Sequence, residues 1–432
     1  MDIERRNTVS YMSADKDRLV IGLTGSFGSG CSTLKESLSK LGFEPFSLSK
    51  YVKNEWHKRH RKPIEKALRK ELQDIGDEMR RKNKKNEYIA RLAVKEARKK
   101  AKSSKPLLFD NIRNIGEVHY LRKTYPNFFL IAVDCSPEIR WARVKEQYQA
   151  KGMNENQFEM DDRRDKYDEK TRFGQTVDFC VDDADVLITN DGTYLTPEVA
   201  IDKLKEKIRP YVELMKGDLS RTPNPLELYM GIAYTASLQS KCIKRRVGAV
   251  IVDEKFNAIL SVGHNENPDP IEACVTKYHQ CRRDIYKTTY FRHLEKLKQK
   301  CPACHRQLKD LRPPFVCKCG FDLDKNLVGD KAINRCTALH AEEQAILNVG
   351  SRGIAGYTIY TTTFPCFTCA QKIVYSRLAS VVYVEPYPDQ DSLDLLEEAN
   401  ISIRKFEGVK AKAYFRLFGP WQKEMEAALS RT

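Results

Sequence analysis

Two short motifs that must meet in space constrain this chain more than anything else in it. They are His340-Ala341-Glu342 and Pro365-Cys366-Phe367-Thr368-Cys369, with a β-like run from Tyr357 to Thr361 between them. Cys366 and Cys369 are three residues apart, so on a helix they share a face. Pro365 just before them suits the start of that helix, where the dipole favours thiolates. His340 and Glu342 fit the first turn of another helix that runs to Leu347. One imidazole and two thiolates make the three protein ligands of a catalytic zinc, which keeps a fourth position for water. Zinc-bound water has a pKa near 7 instead of about 15.7. Glu342 is not needed as a ligand, so it is the candidate catalytic proton shuttle. Its neighbour Glu343 reads as a solvated helix residue.

A second cysteine set lies between Asn265 and His340. Cys301-Pro302-Ala303-Cys304 and Cys317-Lys318-Cys319 form two knuckles separated by 12 residues. Cys301, Cys304, Cys317 and Cys319 therefore read as the four thiolates of a structural zinc ribbon over about 298–322, which folds only with metal. The chain has 13 cysteines. The polar stretch Met1 to Arg18 lacks the apolar core of a signal peptide, and no apolar run reaches the roughly 18 residues of a membrane span. The expectation is a cytoplasmic protein with no membrane partner, whose cysteines are ligands and buried thiols, not disulfides. Cys242, Cys274, His279 and Cys281 are ligand types too, and read as ordinary buried residues.

In the N-terminal half, Arg18 to Thr24 is a short buried-strand pattern. It runs into Gly25-Ser26-Phe27-Gly28-Ser29-Gly30-Cys31-Ser32-Thr33 and then a helix-like stretch, Leu34 to Leu41. Strand, glycine loop and helix are the context of a phosphate-binding P-loop. Gly25, Ser26, Gly28, Ser29, Gly30, Cys31, Ser32 and Thr33 are the candidate nucleotide-binding residues. Cys31 stands where the phosphate-binding lysine belongs, whereas Ser32 and Thr33 keep hydroxyls at or beside the Mg²⁺ position. Without that lysine efficient phosphoryl transfer is in doubt, and three readings stand: a regulatory sensor of a nucleotide effector with Mg²⁺, a working kinase or NTPase, and a structural relic. Pro106 to Asp110 looks like a strand ending in a Walker-B-like carboxylate. With the strand Phe128 to Asp134, the helix Ile139 to Val144, the Arg163-Arg164-Asp165 segment and the late strand Ala184 to Thr189, this half resembles the nucleoside-monophosphate-kinase-like branch of P-loop proteins. The alternation predicts an α/β domain over 18–215, a three-layer, mostly parallel sheet.

The C-terminal half, expected over 222–432, begins at the turn-rich junction Arg221 to Pro225. A helix, Val247-Gly248-Ala249-Val250, Gly263-His264-Asn265, His340-Ala341-Glu342 and Phe364-Pro365-Cys366 to Cys369 follow in order. This series resembles deoxycytidylate deaminases and implies a cytidine-deaminase-like α/β/α domain of about five strands. The resemblance makes Asn265 a sugar-hydroxyl contact, with Tyr387 a second substrate candidate; Ile401 to Arg404 looks like the final edge strand. Fused to a kinase-like P-loop domain, the half resembles the bacterial antiphage deoxycytidine nucleotide deaminases. That likeness implies a hydrolase converting dCTP and dCMP to dUTP and dUMP, depletion of dCTP against phage, a homo-oligomer, and in some systems a small inhibitory RNA.

Charge bears on the partner. The net charge is +16, and between Lys50 and Lys105 stand about 21 Lys and Arg against 8 Asp and Glu. Such excess fits nucleotides or nucleic acid, or a solvated helical face. Two alternatives to a free-nucleotide deaminase follow. A polynucleotide-editing deaminase needs an aromatic platform for an extruded base, and no basic-aromatic stripe flanks the zinc motif. A nucleotide- or RNA-binding regulator without catalysis would not need Glu342.

Overall fold

The computed structural model describes residues 18–101, 105–166, 172–218, 220–313, 315–328, 335–385 and 390–418. The chain divides into two compact units, one running to Glu227 and resuming at Glu407, the other Leu228–Phe406.

In the first unit five strands are parallel: β1 (Val20–Thr24), β2 (Glu44–Ser47), β3 (Leu107–Ile112), β4 (Phe128–Asp134) and β5 (Val186–Thr189), in the spatial order β5-β4-β1-β3-β2. Their near-continuous apolar runs match strands covered on both faces, and every residue of β1 is buried. Val20 stands opposite both Leu107 and Phe128. On one face Ile21 and Leu23 pack with Leu34 and Leu38 of helix Cys31–Lys40 and with Leu204, Ile208 and Val212 of helix Pro197–Met215. Thr196 caps the latter helix by accepting from Val199 N, with Pro197 at its first position. The basic stretch folds mainly as helices Ser49–His60, Arg69–Lys82 and Tyr88–Lys100. Several of its charges are paired at the surface: Arg59 with Glu55 and Glu78, and Lys50 and Lys100 with Glu96.

The second unit has strands β6 (Gly248–Asp253), β7 (Ala258–His264), β8 (Thr358–Thr363), β9 (Ser380–Glu385) and β10 (Ser402–Lys405), in the order β10-β9-β8-β6-β7. β6 is antiparallel to β7 and β8, while β8, β9 and β10 run parallel. Ala249, Ile251, Ile359 and Val381 of the sheet pack with Ala341 and Ala345 of helix Ala341–Asn348 and with Ala370 and Ile373 of helix Phe367–Tyr375. Gly263 lets the first of these helices approach, since a Cβ there would lie 2.3 Å from Ala341 O. The insertion builds its own small core, in which Phe291 of helix Arg282–Lys296 stacks on Phe315 at 4.4 Å between ring centroids. Among the described residues no helix is long and apolar enough to cross a membrane.

The expected continuation of the second domain to residue 432 is corrected. Its edge strand ends at Lys405, and after Phe406 the chain returns to the first unit as β11 (Gly408–Val409), antiparallel to β5. The reason is an exposed edge: without β11 the β5 backbone would present unpaired groups. Glu227 fastens the returning segment. Fully buried, it accepts from Arg221 Nη2 at 2.7 Å, Val409 N at 2.8 Å and Tyr414 Oη at 2.8 Å. Glu407 accepts from Thr189 N at 2.8 Å and pairs with Lys207 at 2.6 Å. Removing the buried partner of an ion pair typically costs about 3 kcal/mol. Glu227→Ala should lower urea-unfolding stability of the first unit by about that much; an unchanged midpoint would show that the returning segment carries no stability.

Candidate metal centre and nucleotide pocket

The metal centre forms where β8 gives way to a helix. Phe364 N donates to Glu385 O at 2.8 Å and Ser392 Oγ donates to Pro365 O at 2.8 Å, which fixes the turn. Cys366 is the N-cap of helix Phe367–Tyr375, and Cys369 lies on the same face in its first turn. His340 is the N-cap of helix Ala341–Asn348. Glu343 is more than the solvated residue expected: its carboxylate accepts from His340 N at 3.4 Å and pairs with Lys372 of the other helix at 2.9 Å. That pair ties together the two helix starts that carry the ligands.

His340 Nδ1 lies 3.3 Å from both Cys366 Sγ and Cys369 Sγ. A tetrahedral ion with Zn–N near 2.1 Å and Zn–S near 2.3 Å asks for N···S separations of about 3.6 Å. The donor set therefore fits zinc. The hydrogen bond from Cys369, helped by His340, pulls the Cys366 thiol down to about 4, so a thiolate is ready there. Glu342 is buried, and its Oε2 lies 3.6 Å from Cys369 Sγ. Burial pushes its carboxyl above the usual carboxylate range, which suits a group that must both take and give a proton near neutral pH.

The ribbon cysteines also converge. Cys301 Sγ lies 3.8 Å from Cys319 Sγ, and Cys304 Sγ 3.6 Å from Cys317 Sγ. Sulfurs around one tetrahedral zinc stand about 3.8 Å apart, so this set fits a closed four-thiolate ion. Among the described residues these two groups are the metal-ligand clusters, and Cys242, Cys274 and Cys281 stay outside them.

The two substrate candidates fare differently. Asn265 Oδ1 accepts from Val247 N at 2.7 Å and its Nδ2 donates to Arg245 O at 2.9 Å, so its amide pins the loop that leads into β6. Tyr387 lies outside the described residues.

In the first unit the glycine loop joins β1 to helix Cys31–Lys40, with Gly30 (φ 102°) as its N-cap. A side chain at Gly30 would be strained, and its Cβ would lie 2.1 Å from Asn190 Nδ2, the atom that donates to Ser29 O. Arg143 braces the same loop through Gly28 O at 3.3 Å and Asn190 O at 2.7 Å. Cys31 is no cation. Its thiol donates to Thr24 O at 3.3 Å, and burial pushes it up. Positive charge reaches the pocket from elsewhere: the cavity, about 820 Å³, is lined by Gly25 to Thr33 and by Lys53, Arg69, Arg113, Arg143 and Lys151. Sequence reasoning missed Arg69 and Arg113; the first was one basic residue among many and the second belonged to no motif. Asp110 Oδ1, on β3, is buried without a hydrogen-bond partner. Its carboxylate and the Ser32 hydroxyl of the cavity wall are hard oxygens, the kind Mg²⁺ takes.

Separating the two metal clusters gives a test. Cys317→Ser should lower bound zinc from two ions per chain to one, measured by elemental analysis, and loosen the insertion to proteolysis. A variant that still holds both ions would exclude the ribbon as a zinc site.

Each half matches a different family. Residues 223–385 match the family described as cytidine and deoxycytidylate deaminase zinc-binding region, and residues 21–164 match an AAA domain family. A deoxycytidylate deaminase of Saccharomyces cerevisiae is 29% identical over 180 residues, 41% of this chain and 43% of that protein. One from Schizosaccharomyces pombe is 27% identical over 229 residues, 52% of this chain and 54% of that protein. The chain thus spans about half the length of these two relatives. A UPF0200 protein of Thermococcus gammatolerans is 28% identical over 196 residues, 44% of this chain and 95% of that protein. The chain therefore joins a P-loop, kinase-like domain to a zinc-binding domain of the cytidine and deoxycytidylate deaminase type.

Proposed function

We propose that the second unit hydrolyses the amino group from the cytosine of deoxycytidine nucleotides, dCMP and dCTP, giving dUMP or dUTP and ammonia. The observation that carries this is the buried Glu342 carboxylate against a His340–Cys366–Cys369 donor set of zinc dimensions. The deoxycytidylate deaminase relatives support the choice of substrate. When bound, zinc would supply the Lewis acidity that makes water a nucleophile at neutral pH. His340, Cys366 and Cys369 are the residues that would hold it. Glu342 takes the proton of the attacking water on its carboxylate, passes it to the ring nitrogen N3, and serves again as the amino group leaves with a proton from the water. Asn265 stays in this reading as a sugar-hydroxyl contact made from its loop-pinning position, and Tyr387 as a pocket residue.

The P-loop unit is read as a regulatory nucleotide sensor with Mg²⁺ at Ser32 and Asp110, not as a phosphoryl transferase. Cys31 provides no charge for a γ-phosphate, while the cavity remains large and cationic. The fusion supports a wider reading: depletion of dCTP against a replicating phage, by a cytoplasmic homo-oligomer held back by a small RNA.

Purified protein incubated with dCTP, dCMP, CTP, single-stranded DNA and RNA should convert the free deoxycytidine nucleotides. Conversion of the polymers alone would replace this reading with a polynucleotide-editing one. Glu342→Ala should keep its zinc and lose at least about 10²–10⁴-fold in turnover; unaltered turnover would take Glu342 out of the chemistry. Gly30→Val should leave zinc content unchanged and abolish the response of dCTP turnover to added nucleotides. An unaffected response would make the P-loop a structural remnant.

A further inference from the structure

The glycine loop lacks its lysine, yet its pocket is not short of cations. Arg69, from helix Arg69–Lys82, and Arg113, just after β3, both line it. The two guanidinium groups close on one oxygen. Arg113 Nη1 donates to Asp165 Oδ2 at 2.8 Å, and Arg69 Nη2 donates to that same oxygen. Gln73 Nε2 donates to the other oxygen at 2.6 Å. Asp165 is wholly buried, near the end of helix Glu155–Lys166. Two arginines and an amide around one buried anion are the donor types that protein sites offer a phosphate.

The set is also incompletely used. Arg69 Nε, Gln73 Oε1 and Gln175 Oε1 are buried without a hydrogen-bond partner, and all three residues line the cavity. The Arg69 guanidinium lies over the Phe27 ring of the glycine loop at 4.4 Å. An arginine against the loop, with a donor to spare, is placed for a ligand that the loop holds.

We propose that Asp165 is an internal stand-in for phosphate. A nucleoside di- or triphosphate bound at the glycine loop takes over Arg69 and Arg113, and the displaced Asp165 lets go the end of helix Glu155–Lys166. The inference rests on the reading of this pocket as a nucleotide site. The coupling follows from charge. A carboxylate deprived of both arginines is left as an uncompensated buried charge, so it must move toward water. The other ties of the helix survive, because they use different partners: Asp162 with Arg140 at 2.5 Å, and Arg164 with Asp74 and Asp77 at 2.7 and 2.8 Å. The proposed motion is therefore of the helix end, hinged on ion pairs that remain. A nucleoside without phosphates offers nothing to exchange for Asp165 and should not trigger it.

The test uses the full chain. ATP and inorganic tripolyphosphate are titrated calorimetrically into the unsubstituted protein, Asp165→Asn and Arg113→Met, with adenosine as control. Hydrogen exchange of residues 155–166 is followed in the unsubstituted protein, so that measurement does not depend on any variant folding. ATP and tripolyphosphate should speed exchange at the Asp165 end, and adenosine should not. Asp165→Asn should bind ATP about tenfold tighter and Arg113→Met about tenfold weaker. ATP binding that leaves this helix unchanged or better protected overturns the exchange of anions while leaving the nucleotide sensor standing. So does a folded Asp165→Asn with no gain in affinity. Binding seen only in Asp165→Asn supports the proposal in its strongest form. No ATP binding to any of the three proteins removes the nucleotide reading, and this inference with it.

Discussion

The second unit depends on two helix starts being held side by side. His340 and Cys366 are both N-caps, so the metal donors sit where backbone N–H groups favour negative charge. The Glu343–Lys372 pair joins the two helices, and Gly263 lets the first of them close onto β7. The consequence is a donor set already at zinc dimensions, with Glu342 buried beside it. An ion entering such a site has little backbone to reorganise, and the carboxylate is oriented before substrate arrives.

The first unit meets a different constraint, the absence of a cation inside its glycine loop. Gly25, Gly28 and Gly30 keep the positive-φ path of a phosphate cradle, and Arg143 and Asn190 brace its carbonyls. The charge is relocated to the cavity wall, where Arg69 and Arg113 lean on Asp165. Such a pocket keeps the means to grip phosphates while losing the group that neutralises a transferring one.

Much of this was legible in the chain itself. The stretches Arg18 to Thr24, Pro106 to Asp110 and Phe128 to Asp134 read as strands, and β1, β3 and β4 lie there. The convergence of His340, Cys366 and Cys369 was legible because few residue types bind zinc and their spacing is short. The ribbon cysteines were legible for the same reason. Arg69 and Arg113 were not, because an arginine on a charged helix looks alike whether it faces water or a cavity. The Glu343 role was hidden as well, since its partner Lys372 lies on a separate helix.

The sequence by itself stated the local patterns: which His and Cys residues could cluster, which loop is rich in glycine, and which segments are apolar strand-like runs. These follow from residue type and near-neighbour spacing, which the chain states directly. Only the tertiary structure decided which sheet the last strand joins and where the pocket's positive charge resides. β11 is two residues long and has no periodicity to read, so its place beside β5 is set by an edge that needed covering. Asp165 meets Arg69 across 96 positions of chain, and such a meeting is made by packing and not by pattern.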